Sequence, residues 1–196
     1  MEKSILLQTP LRESEVRELR AGQTVYLEGM IYCVSGIDAH KRLIEYSKKH
    51  KRAPVDLNDS VIIHAPAFCL KENRGWKLLY LTVTTSARMN LYEPDLVKRF
   101  SIRGIVGKGG MDQRTHEALM KKGGVYLAQV GGCNAFYVPK ADEKCDVHWE
   151  EFFPFALVQL HVHRYGPLIV AMDSHGNNLY AKTLEKGQRM IARLMG

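Results

Sequence analysis

Residues 104–122 read GIVGKGGMDQRTHEALMKK, and this stretch decides the fold class. Its first four residues form a short apolar run that predicts a buried strand. A glycine-rich loop at 107–110 follows, and 112–122 has the pattern of a helix. Strand, loop and helix in succession are the repeating unit of α/β proteins. Working outward, strands are expected at 24–34 (with a break at Gly29), 61–65, 78–83, 125–130, 136–139, 155–163 and 168–172. Helices are expected at 14–20, at 38–49, from 84–86 through Leu96 and Val97, and at 182–195. Some strand pairs lie too close in sequence for a helical crossover, which predicts a mixed sheet within an α/β domain. No repeat, low-complexity tract or linker interrupts the 196 residues, so one domain over 1–196 is expected.

The bulk composition narrows the class. Hydrophobic residues make up 45% and charged residues 25%, the balance of a soluble globular protein. No apolar run approaches the roughly 18 residues of a membrane span. The N-terminal apolar stretch is broken by Gln8 and Pro10 and lacks a cleavage pattern, so a cytoplasmic location is expected. The net charge is +7, and six basic residues (Lys41, Arg42, Lys48, Lys49, Lys51, Arg52) crowd one segment. That balance suits an anionic partner, although a solvated helix face explains the run equally well. The four cysteines, Cys33, Cys69, Cys133 and Cys145, include no C-x-x-C pair. Such spacing is expected to bind no metal in this chain alone.

Two stretches carry the chemistry. In 82–89, TVTTSARM, an apolar strand runs into Thr84, Thr85 and Ser86, and Arg88 follows one turn later. Hydroxyl residues cap helix starts, where free N–H groups also attract anions. An arginine at that distance can fork onto a carboxylate. In 104–111 the single Lys108 sits among glycines that let backbone approach a ligand. The loop fails the phosphate-loop pattern because Gly109 follows the lysine, so a lysine facing a small anion fits better than a nucleotide site. His40, at the start of the first long helix, is a candidate general acid/base or a structural histidine. His175, in the turn after Asp173, is a weaker candidate.

Together the motifs HKRLIE (40–45), HAP (64–66), TTSxRM (84–89), VGKGGM (106–111), VHW (147–149) and GPLIVxxDxHGNNL (166–179) resemble one family. They are similar, in order and interval, to the β subunit of L-tartrate dehydratase and the C-terminal domain of class I fumarases. The resemblance covers nearly the whole chain. It implies a swivelling β/β/α fold and an α-subunit partner whose three cysteines hold a [4Fe-4S] cluster with one open iron. It implies a hydro-lyase acting on a small dicarboxylate, fumarate/malate or tartrate, within a homo- or hetero-oligomer. It implies that Arg88 and Lys108 bind substrate carboxylate, with Thr85 and Ser86 beside them. Thr84 falls at the proton-abstraction position, and His40 acts as acid/base or orienting group.

The sequence departs from the family at two places. The family places an arginine four residues ahead of the histidine, where this chain has Gly36. Thr82-Val83 replaces the family's Gly-Pro. These departures keep a second reading open, a carboxylate-binding or regulatory paralogue without this activity. A nucleic-acid binder rests on charge alone and is not expected.

Overall fold

Alternating burial along a set of parallel strands organises the chain, whose residues 4–195 are described in a computed structural model. The elements run β1 (Ile5–Gln8), α1 (Glu13–Glu18), β2 (Thr24–Cys33), α2 (Ile37–Lys48), β3 (Val61–Ile63), β4 (Ala67–Glu72) and β5 (Gly75–Leu81). They continue through α3 (Glu93–Phe100), β6 (Gly104–Gly107), α4 (Gln113–Lys122), β7 (Val125–Ala128), α5 (Asn134–Tyr137), β8 (Lys144–His148), β9 (Leu157–Met172) and α6 (Leu179–Met195). The sheet order is β1-β2-β3-β6-β7-β9-β8-β5-β4, and β2 also pairs with β9. That extra pairing closes β2, β3, β6, β7 and β9 into a barrel. β2, β3, β6 and β7 are parallel, and β9 runs antiparallel to both of its barrel neighbours. The α/β class and the mixed sheet expected from sequence are both present.

The period-2 pattern divides the core into two layers. Val61, Ile63, Val106, Val125 and Leu127 face inward with Val25, Leu27, Ile31, Val158, Leu160 and Val162. Their neighbours Ile62, Ile105 and Tyr126 face outward and meet a layer of three helices. α2 contributes Ala39, Leu43 and Ile44, α3 contributes Leu96 and Val97, and α4 contributes Ala118 and Leu119. In α2, Lys41 and Lys48 are exposed while Arg42 is half-buried, so the basic run, continued by the exposed Lys49, Lys51 and Arg52, is mostly a solvated surface. No helix among the described residues is long and apolar enough to cross a membrane.

Several elements differ from the sequence expectation. The helix expected from 84 through 97 is two pieces, a 3-10 turn at Ser86–Met89 and α3 from Glu93. Pro94 cannot donate a backbone hydrogen bond and is tolerated only in a first turn, so a new helix starts there. Residues 136–139 form no strand. They belong to α5 and a 3-10 turn at Val138–Lys140, since Pro139 cannot join an interior ladder. The strands expected at 155–163 and 168–172 are one strand of 16 residues, β9. Likewise the break at Gly29 is a register shift against β9 within an unbroken β2. β1, β4 and β8 have no counterpart in the expectation. β1 has only four residues, and β4 and β8 are largely exposed strands whose charged residues weaken the alternating signal.

Candidate active site

The candidate residues gather where β2, β3 and β6 end, at the carboxyl edge of the parallel strands, the edge where open α/β sheets bind ligands. A backbone ladder ties the loops there together. His64 N–H donates to Val106 O (2.8 Å), and Thr84 N–H donates to His64 O (2.7 Å). Ser86 N–H donates to Lys108 O (3.1 Å), and Gln129 N–H donates to Gly107 O (2.8 Å). Thr85 and Lys108 face each other in a parallel bridge. The two chemistry-bearing stretches, separated in sequence by residues 90–103, are therefore neighbours in space.

Gly107 makes this approach possible. A Cβ there would overlap Ser86 Oγ and lie 3.0 Å from the Tyr126 hydroxyl. Those two hydroxyls hydrogen-bond at 2.8 Å, and the Tyr126 hydroxyl also accepts from Gly110 N–H at 3.3 Å. Burial pushes the Tyr126 phenol well above its usual range, so it serves as a neutral brace under the loop.

Of the six candidates, Thr84 and Thr85 are half-buried, while Arg88 and Lys108 are exposed. Neither Arg88 nor Lys108 enters an ion pair or side-chain hydrogen bond among the described residues. Thr84 Oγ1 donates to His64 O at 3.1 Å, and no side chain caps the 3-10 turn. That turn has four residues, so the expected capped helix with an anion-attracting N-terminus is not formed here. Ser86 and His40 are fully buried beneath the open face.

His40 belongs to a buried group that the motif reading did not assemble. Its Nδ1–H donates to Gly36 O (2.8 Å), and its Nε2 meets Glu93 Oε2 at 2.9 Å. His64 Nε2 meets the same oxygen at 3.1 Å. All three side chains have essentially no exposure. Acceptors face both ring nitrogens of His40, so neither nitrogen is free to point at the open face. Burial by itself would raise Glu93. The charge of His64 and the hydrogen bonds from both histidines outweigh it and hold the carboxyl down at about 2. Glu93 Oε1 and His64 Nδ1 remain without partners among the described residues. A carboxylate four residues after RM was the available sequence signal for Glu93, but its partners lie 53 and 29 residues away.

Gly36, where the resemblance leads one to expect an arginine, is fixed by packing. A Cβ there would meet Phe155 Cβ at 2.8 Å and Phe155 O at 3.1 Å. Arg42 cannot take the arginine's place at the strand ends. It is paired with Glu151 and stacked on Phe152 (4.1 Å) and Trp149 (5.2 Å). Gly36→Ala is expected to lower unfolding free energy by about 1–3 kcal/mol through overpacking against the 155 segment, read by urea denaturation. An unchanged midpoint would show that this segment moves freely.

The motif at 166–179 is a turn staple. Asp173, fully buried, accepts from the N–H groups of Ala21, His175 and Asn177 and from the Asn177 amide. His175 Nε2 lies 2.7 Å from Arg17 O, remote from the ladder. The cysteines do not form a cluster-ligand set. Cys33, Cys69 and Cys145 are packed in the apolar core, and the sulfurs of Cys69 and Cys145 are 3.4 Å apart, too close to hold separate corners of a cubane.

Fold and site define an α/β domain that presents two cations and two threonines on one braced loop cluster. The chain belongs to the fumarase C-terminus family, whose model matches residues 1–183. It is 33% identical over 178 residues to the L(+)-tartrate dehydratase subunit beta of Escherichia coli, covering 90% of this chain and 87% of that one. A Methanocaldococcus jannaschii protein named as a candidate L(+)-tartrate dehydratase subunit beta is 39% identical over 188 residues, 95% of this chain and 96% of that one. A Geobacillus stearothermophilus protein named as a candidate class I fumarate hydratase is 41% identical over 179 residues, 90% of this chain but only 33% of that longer protein.

Proposed function

We propose that this chain is the β subunit of a hydro-lyase that adds water to, or removes it from, a small dicarboxylate such as tartrate or fumarate/malate. The observation that carries this reading is the pair Arg88 and Lys108, exposed cations on loops joined by the Ser86–Lys108 hydrogen bond. A dicarboxylate has two negative ends, and two cations on joined loops offset charge that builds on a carboxylate as its neighbouring carbon loses a proton. In dehydration the C–O bond breaks, the adjacent C–H bond gives up its proton, a C=C bond forms and water leaves. A [4Fe-4S] cluster on an α subunit supplies, when bound, the Lewis acid for the departing hydroxyl.

The residues of this chain do the rest from their side of the interface. Arg88 and Lys108 hold the carboxylates, and Thr85 lines the cradle. Thr84 faces the carbon proton. Its own hydroxyl proton goes to a backbone carbonyl, so a carboxylate of the α subunit is needed to make it a competent base. Ser86 braces the loop through Tyr126. His40, buried with both nitrogens engaged, orients α2 and Glu93 rather than exchanging protons with substrate.

The test is co-expression with the α subunit and anaerobic purification. The pair is expected to turn over at least one of tartrate, fumarate or malate, and the isolated chain none. A pair that carries its cluster and turns over none of them would leave the regulatory paralogue as the correct reading.

A further inference from the structure

On the outer face of the barrel, where β9 passes Met30 of β2, three side chains converge. His161 and His163 are two residues apart on one strand, so they project on the same side while Leu160 and Val162 fill the core. Asp142 is placed against them by backbone: its N–H donates to His161 O at 2.9 Å, and Ala141 bridges Val162. His161 Nδ1 lies 3.3 Å from His163 Nε2, which lies 2.9 Å from Asp142 Oδ1. His161 Nδ1 is 3.5 Å from Asp142 Oδ2.

We infer that Asp142, His161 and His163 form a divalent transition-metal site of the Zn2+ class, with a fourth position open to solvent. The spacing carries the assignment. Ligands at about 2.0–2.1 Å from a tetrahedral ion stand about 3.3 Å from one another. The two ring nitrogens here are 3.3 Å apart, and each has one oxygen of the Asp142 carboxylate beside it, at 2.9 Å from His163 and 3.5 Å from His161. His163 is paired with both Asp142 and Glu28, but its Nε2 also faces His161 Nδ1 at 3.3 Å, an approach that a shared cation accommodates and two N–H groups do not. Two neutral nitrogens and one carboxylate are also a donor set suited to zinc, cobalt or nickel rather than magnesium or calcium.

An outer support is in place as well. If His163 binds through Nε2, its Nδ1–H points at Glu28 Oε1, 3.2 Å away, the carboxylate–histidine arrangement that fixes a ligand's tautomer. The other Glu28 oxygen accepts Arg164 N–H at 2.9 Å, which holds the carboxylate in position. Glu28 belongs to β2 and Asp142 to the segment before β8. An ion here would clip that segment to two barrel strands.

The experiment titrates the full chain with Co2+ and follows its visible spectrum. One equivalent is expected to bind with tetrahedral d–d bands and no sulfur-to-cobalt charge transfer, and Zn2+ should displace it. The double variant His161→Ala/His163→Ala, whose side chains lie outside the core, is expected to keep its melting temperature without metal and to bind at least about a hundredfold more weakly. Glu28→Gln is expected to lose about 10- to 100-fold in affinity. No binding at about 1 mM Co2+, binding unchanged in the double variant, or bands from cysteine sulfur would each overturn the assignment.

Discussion

Lys108→Ala and Arg88→Ala are each expected to lower kcat/KM of the reconstituted pair by about 10²–10³, roughly 3–4 kcal/mol of transition-state stabilisation. Both side chains are exposed and hold no partner among the described residues, so neither supports the fold. What Lys108 gives the structure is its backbone: the carbonyl that accepts from Ser86 and the bridge to Thr85, which alanine keeps. The melting temperatures of the variants should therefore match the parent within a degree or two. The aliphatic stem of Lys108 passes over Gly131, where a Cβ would lie 3.0 Å from its Cδ. This close fit leaves little room for the broader guanidinium, and Lys108→Arg should not restore activity. If turnover survives in both alanine variants, the cradle lies elsewhere; if both variants unfold, the two residues are structural.

Glu93→Gln is expected to cost on the order of 1–3 kcal/mol of stability at neutral pH, because it removes the ionised acceptor that both buried histidines face. The acid limb of the parent gives an independent measure. Glu93 titrates at about 2 in the folded chain against 4.5 for the free side chain. A depressed folded value adds stability above the unfolded value and loses it as pH falls. That depression corresponds to on the order of 3 kcal/mol, lost between roughly pH 4.5 and 2. The stabilities of parent and Glu93→Gln should thus differ at pH 7 and converge near pH 2 in urea titrations. A gap of constant size down to pH 2 would mean that the carboxylate acts by packing rather than by charge.

The parallel strands were legible where apolar runs are short and bounded. Val61 to Ile63, Gly104 to Gly107 and Val125 to Leu127 are such runs, and each became a parallel strand. The two stretches that hold Thr84, Arg88 and Lys108 were legible as loops that follow strands, and the structure makes them neighbours. What the sequence hid were relations between distant residues. Nothing local says that Val158 pairs with Cys33, yet that pairing closes the barrel. Nothing local joins Glu93 to His40 and His64 either, and without it His40 reads as a free acid/base. Pro94 was a visible signal, and it divided a helix that hydrophobic periodicity had run together.

The ladder through His64, Thr84, Ser86 and Gln129 also governs how a ligand is received. Loops already joined backbone to backbone have few conformations left to give up. The entropy lost on binding falls mainly on the long side chains of Arg88 and Lys108, at about 0.5–1.5 kcal/mol each. Hydrogen exchange should report the same fact: the amides of Thr84, Ser86 and Gln129 should open together, slowly, and almost equally slowly whether substrate is bound or not.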